Sequence, residues 1–291
     1  MTQAQKQQTE ANSACALPRF ARPYDWAQID EAVRTTGGVI AEAFMSPDEV
    51  DELNAQTDAY LDAHTGAAAP ASGSKVYDRF LGHKTLRLQG LVEKTPCIAG
   101  LIGRPELIDW AERIVRPIAS SVLLNAGELI QIQPGEPAQY LHRDSDSWPA
   151  HTAEHATIVN AIIALDPCTL ENGATHVAPE SWQWDSAHEP NDNEFTRATM
   201  KAGDALLFRG DLVHGGGANQ SDARRRVFSI SYCAGWLRPV ENSFLNISRE
   251  TARTLSPRLQ ALLGYAAYDG SDRKGGLVGL YENGDPARAL G

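Results

Sequence analysis

Apolar and polar positions change their period partway along this chain. In the first part they recur at helical spacing. Ser46-Pro47-Asp48-Glu49 reads as a helix start: the serine caps, the proline suits the first helical position and the glutamate completes a capping box. Val50, Leu53, Thr57, Tyr60 and Leu61 then form one apolar stripe. A second helix is expected from Pro105, with Leu107, Ile108, Ala111, Ile114 and Val115 on one side and Pro117 ending or kinking it. Between the two, the run 82–91 alternates at Leu86 and Leu88 before reaching Leu91. Beyond Asn125 the pattern shortens. Residues 128–133, 158–165, 205–209 and 227–233 are Ile/Val/Leu/Phe-rich runs punctuated by Gly, Pro and Asn, which read as strands. Helices first and short strands afterwards, with no internal repeat, predict a mainly β fold with flanking helices, a jelly roll or β-sandwich rather than a parallel α/β sheet.

The connecting stretches add detail. Residues 1–16 are polar and low in complexity, a disordered tail before a single domain over 17–291. The Ala/Gly/Ser-rich run 65–74 reads as a mobile loop, a lid and a plain surface loop being equally open. Residues 251–263 look helical, and the Gly-rich end from Gly270 to Gly291 reads as a loop able to close over a barrel mouth.

Composition narrows the function classes. The 291 residues carry a formal net charge of −11, a balance that excludes a general nucleic-acid or anionic-membrane binder, which needs a positive field. Cys15, Cys97, Cys168 and Cys233 are scattered, with no Cys-x-x-Cys, and read as reduced thiols in a cytoplasmic protein. Neither a signal peptide nor an apolar run long enough to span a bilayer is present.

The candidate chemistry starts at Gln139-Tyr140-Leu141-His142-Arg143-Asp144. In an extended strand, positions i and i+2 share a face, so His142 and Asp144 can converge on one metal ion. His214, at the end of the run Gly203–His214, supplies a third ligand. Two histidines and one carboxylate on one face of an octahedron are the donor set of non-haem Fe(II) oxygenases. An oxygenase of this kind that consumes an α-keto acid also needs a cation for the acid's far carboxylate. Arg224-Arg225-Arg226 follow His214 at the start of an expected strand, and arginine's fork suits a carboxylate.

With these stretches, together with Glu171-Asn172-Gly173-Ala174-Thr175 and Pro179-Glu180-Ser181, the chain resembles the phytanoyl-CoA dioxygenase family of Fe(II)- and 2-oxoglutarate-dependent oxygenases from about Gly37 to Arg238. It is similar above all to the branch of fungal enzymes of meroterpenoid and alkaloid biosynthesis. The resemblance implies a double-stranded β-helix, cupin-like core, with Fe(II), 2-oxoglutarate and O2 as cofactor and co-substrates. It implies His142, Asp144 and His214 as metal ligands and catalytic centre. Gln139, Thr175 and Arg87 become residues that contact 2-oxoglutarate. Arg225 is the expected partner of its distal carboxylate, and Arg226 is the alternative if the turn is one residue different, since that shift flips the facing. Halogenases related to the family replace the carboxylate by a small residue, so Asp144 points to hydroxylation, desaturation or rearrangement. Glu180 departs from the family's Pro-Gly-Ser turn, where glycine is usual.

The expected partner is one small, largely apolar natural product such as a terpenoid or alkaloid, with no nucleic acid and no membrane, and with a homodimer left open. An acyl-CoA or amino-acid-like substrate is the second reading, encouraged by Lys75, Arg79, Lys84, Arg87 and Lys94. A non-catalytic jelly-roll metal binder is the reading of a different class. His64, His83 and His188 read as surface residues, and His176 as either pocket or core. His151 and His155 have zinc-like spacing without a third ligand at hand. His142-Arg143-Asp144 also matches a kinase catalytic loop, yet the Asp-Phe-Gly and glycine-rich loop that belong with it are missing. Trp148, Trp182, Trp184 and Trp236 read as core.

Overall fold

The computed structural model describes residues 16–64, 74–148, 154–185, 187–188, 190–273 and 275–291. The expectations for the tail, for the loop after Thr65 and for His151 lie outside the described residues. Strand β1 (Arg19–Phe20) leads into helix α1 (Trp26–Thr36), β2 (Gly38–Ala41) and α2 (Pro47–Ala63). Ser46 and Glu49 form the expected capping box on α2, and Val50, Leu53 and Thr57 are its buried face. Helix α3 (Lys75–Leu81) and β3 (Thr85–Leu88) follow, so the alternating run stops short of Leu91. Gly90, at φ +66, turns the chain instead into α4 (Leu91–Lys94), α5 (Pro96–Ile102) and α6 (Pro105–Val115). The stripe expected on α6 is buried, together with Trp110.

The remaining strands are β4 (Val122–Ile132), β5 (Ile158–Ala164), β6 (Thr175–Val177), β7 (Thr196–Ala198), β8 (Ala205–Arg209), β9 (His214–Gly215) and β10 (Arg225–Ala234). They form a jelly roll. One sheet of seven strands runs β1-β2-β8-β5-β10-β4-β3, and a smaller one runs β7-β6-β9. Every pair is antiparallel except β1 with β2. The strand period of two then decides which residues face what. On β10, Phe228, Ile230 and Tyr232 join the core shared with the helices, whereas Val227 joins the cluster between the sheets.

Two expectations for the C-terminal part change. A short α7 (Ser243–Asn246) precedes the expected helical stretch, which Ser256 splits into α8 (Arg249–Thr254) and α9 (Pro257–Leu262). The Gly-rich end does not close the barrel. It holds the two-residue strands β11 (Tyr268–Asp269) and β12 (Leu277–Val278) and is tied elsewhere, by Ser120 to the Asp269 carbonyl and by Arg273 to the Arg116 carbonyl.

Candidate active site

His142 and His214 face each other across an isolated antiparallel bridge. Each backbone N–H donates to the other's carbonyl, at 2.9 and 3.0 Å. Directly opposed residues of an antiparallel pair place their side chains on one face. The imidazoles accordingly meet, with ring centroids 4.4 Å apart. The pleat expected between His142 and Asp144 is not what brings the carboxylate in. The chain is extended through Arg143, and Asp144 then opens a single 3-10 turn, Asp144–Ser147. Arg143, between His142 and Asp144, fixes that path by donating to the carbonyls of Asp211 and Ser181 at 3.1 and 2.9 Å.

Asp144 Oδ1 lies 3.5 Å from His142 Nε2, and its Oδ2 lies 3.8 Å from His214 Nε2. One ligand atom from each of the three residues lies within 4.8 Å of the others, close enough for a single cation to reach all of them. The other ring nitrogens are occupied: Nδ1 of His142 and of His214 meet the carbonyls of Tyr140 and Leu212 at 3.1 and 2.9 Å. With the proton on Nδ1, the Nε2 lone pair is left for a metal. Burial pushes the Asp144 carboxyl up in pKa, but the two imidazoles and the amide of Asn160, 2.8 Å away, outweigh it and hold it at about 2. Burial draws His214 down. At neutral pH this leaves an ionised carboxylate and a neutral His214, the forms that bind a metal.

The triad opens into a cavity of about 890 Å³ between the two sheets. Period two on β10 turns Arg225, Val227, Ser229 and Ser231 into it. Arg225 is 3% exposed, and among the described residues its Nε and Nη1 have no hydrogen-bond partner. Buried polar groups in proteins are almost always paired, so two orphaned donors on a cavity wall suit an anion from outside the chain. Arg226, the one-residue alternative, is corrected by the same pleat: it points out of the barrel. There its guanidinium is met by Gln131 at 2.9 and 2.6 Å, Asn54 at 2.8 Å and Asp58 at 2.6 Å.

Gln139, Thr175 and Arg87 all line the cavity. Gln139 is anchored at both ends of its amide, to the Phe80 carbonyl at 3.2 Å and from the Gly216 N–H at 3.1 Å. Thr175 is set by a backbone-on-backbone contact: a Cβ on Gly173, whose φ is +89, would lie 2.3 Å from the Gly217 carbonyl oxygen. That contact is why Asn-Gly-Ala-Thr must carry its glycine. Arg87 makes a 2.5 Å ion pair with Glu128, which lines the same wall. Glu180 adopts the left-handed conformation, φ +62, that a glycine takes without cost, so the turn keeps its shape despite the departure.

Of the remaining expectations, His83 lines the cavity, while His176 lies on the other face of β6, half-buried, where burial and Arg197 depress its pKa. His64 stacks on Tyr60, and His188 lies tilted against Trp184 and pairs with Glu194. None of the four tryptophans lines the cavity, and Trp236, at 44% exposure, is not core. Sequence reasoning missed Asn160 and Glu128. Each had a signal, as the lone polar residue in Ile158–Ala164 and the one acid in Val122–Ile132.

A family model described as phytanoyl-CoA dioxygenase (PhyH) matches residues 33–227. The chain is 30% identical to dioxygenase swnH1 of Metarhizium robertsii over 94% of its own length and 92% of that protein's. It is 35% identical to dioxygenase FrzG of Cladobotryum sp., covering 86% and 87%. Among solved structures it is similar in fold to the epimerase SnoN in complex with Fe3+, alpha ketoglutarate and nogalamycin RO. The TM-score there is 0.58 at 20% identity, covering 76% of this chain and 88% of that one. The chain belongs to the phytanoyl-CoA dioxygenase family and is a non-haem iron(II)- and 2-oxoglutarate-dependent dioxygenase.

Proposed function

We propose that the enzyme oxidises an unactivated C–H bond of a small natural product, by hydroxylation or by a desaturation or rearrangement that begins at the same carbon. In this reading His142, Asp144 and His214 hold the iron, and Arg225 grips the distal carboxylate of 2-oxoglutarate with Thr175 and Gln139 beside it. When bound, iron and 2-oxoglutarate turn O2 into an oxidant and release succinate and CO2. The chain's own part is positional. Asn160 orients the Asp144 carboxylate, the Nδ1 hydrogen bonds set both imidazoles, and the two sheets enclose the reacting carbon away from water. The observation that carries the reading is the meeting in one cavity of the triad and a buried arginine with two unpaired donors.

An acyl-CoA substrate is supported less well. Of the five basic residues between Lys75 and Lys94, only Lys75, Arg79 and Arg87 line the cavity. Arg87 is engaged by Glu128, Lys84 reaches the Pro134 carbonyl and Lys94 the Gln89 carbonyl. That leaves two cations at the mouth for a ligand with several phosphates. The test is mass spectrometry of purified protein incubated with iron(II), 2-oxoglutarate, ascorbate and a panel of terpenoids, alkaloids and acyl-CoA esters. A natural-product scaffold heavier by one oxygen or lighter by two hydrogens, with succinate formed in step, is the expected result. Coupled turnover of acyl-CoA alone would overturn it.

A further inference from the structure

The cavity wall carries a carboxylate that the metal site does not use. Among the described residues four acids line the cavity: Asp78, Glu128, Glu136 and Asp144. Asp144 belongs to the triad. Glu136 is consumed by the backbone N–H groups of His83 and Lys84 and by the Thr85 hydroxyl. Asp78 sits on α3. Glu128 stands on the inward face of β4 between Ala126 and Ile130, beside Ser229 in register on β10. It is bonded through one oxygen only, Oε2 to Arg87, and among the described residues Oε1 accepts no hydrogen bond. Its side chain is 15% exposed. A carboxylate this deep, with one counter-charge and a spare oxygen, is costly unless a donor completes it.

A second feature faces the same space. Tyr77, Phe80 and Tyr140 all line the cavity, with Tyr77 stacked on Phe80 at 5.8 Å and Phe80 against Tyr140 at 5.3 Å. The Arg87 guanidinium already lies over the Phe80 ring, 5.7 Å from its centroid. Aromatic faces next to a carboxylate are the chemistry that holds a protonated nitrogen. We propose that Glu128, with the rings of Tyr77, Phe80 and Tyr140, anchors the substrate, and that the anchored group is a protonated amine. This assignment rests on the dioxygenase reading and narrows its substrate class. 2-Oxoglutarate brings two carboxylates, of which Arg225 takes one. Glu128 keeps Oε2 on Arg87 and offers Oε1 to the substrate's ammonium.

Anaerobic protein loaded with iron(II) and 2-oxoglutarate tests this by titration with piperidine, protonated at neutral pH, and with cyclohexanol, a neutral ring of the same size. Binding is read as the change in the visible iron–2-oxoglutarate charge-transfer absorption. Piperidine is expected to bind at least tenfold more tightly, and Glu128→Gln to remove that preference while the absorption itself remains. Equal binding of the two probes by the parent, or a preference retained in Glu128→Gln, would overturn the assignment and leave the dioxygenase reading standing. A parent protein with no charge-transfer absorption would overturn both. Should Glu128→Gln fail to fold, Tyr77→Ala carries the test: a loss of at least threefold in piperidine affinity, with cyclohexanol unchanged, supports the anchor, and no loss rejects it.

Discussion

Arg225 and Arg226 are neighbours in one strand and equally hidden, at 3% and 0% exposure, yet their surroundings are opposite. Arg226 faces the helices, and all three of its guanidinium nitrogens are engaged by Gln131, Asn54 and Asp58. Arg225 faces the cavity and, among the described residues, keeps two nitrogens unpaired. The fold completes one arginine and leaves the other with donors to spare. A buried charge satisfied by the chain reports stability, whereas a buried charge left unsatisfied beside a cavity reports function.

The largest effect expected on the cavity face comes from removing a ligand. His214→Ala should abolish turnover and most iron binding, measured as metal content after gel filtration, while circular dichroism stays that of the parent. A variant with parental turnover would sink the triad. The two arginines come next and should separate. Arg226→Ala removes the centre of a buried network and should cost about 3 kcal/mol in denaturant unfolding, leaving 2-oxoglutarate affinity unchanged in the folded fraction. Arg225→Ala should do the reverse. The affinity for 2-oxoglutarate falls by tens of fold, in line with about 2 kcal/mol or more for truncating a buried charged partner, while stability holds or rises because an orphaned cation is gone. If Arg226→Ala weakens 2-oxoglutarate and Arg225→Ala does not, the facing is reversed.

A smaller effect lies one bond behind the metal. Asn160→Ala frees the Asp144 carboxylate from its 2.8 Å hydrogen bond and should weaken iron affinity by about tenfold, read by competition with a chelator. Glu180 offers the smallest. Glycine there relieves a left-handed backbone, φ +62, at a position outside both the triad and the cavity wall, and should stabilise by about 0.5–1 kcal/mol after the entropy of the more flexible unfolded chain is counted. Activity should not move. A loss of activity would tie that turn to the site.

Local patterns carried much of the architecture. The capping box at Ser46 and Glu49, the stripe on α6 and the apolar runs of β5, β8 and β10 all depend on residues close together in the chain, so spacing alone determines them. The three candidate metal ligands were legible in another way, through the resemblance of the motifs around them to those of the family. Strand facing could not be read with that certainty. Arg225 and Arg226 exchange faces if the turn before β10 changes by one residue, and only pairing with β4 and β5 pins the register.

Sequence by itself carried the fold class through short-range period, and the candidate donor set and the arginine after His214 through the family motifs around them. The tertiary structure decided the rest. The direct opposition of His142 and His214 across a bridge, the 3-10 turn that brings in Asp144, and the placement of Glu128 and Asn160 on the cavity wall all arise from pairing between distant segments. A lone polar residue in an apolar strand looks the same in sequence whether it is orphaned, structural or catalytic. Its meaning depends on what stands across from it, and only packing brings that partner close.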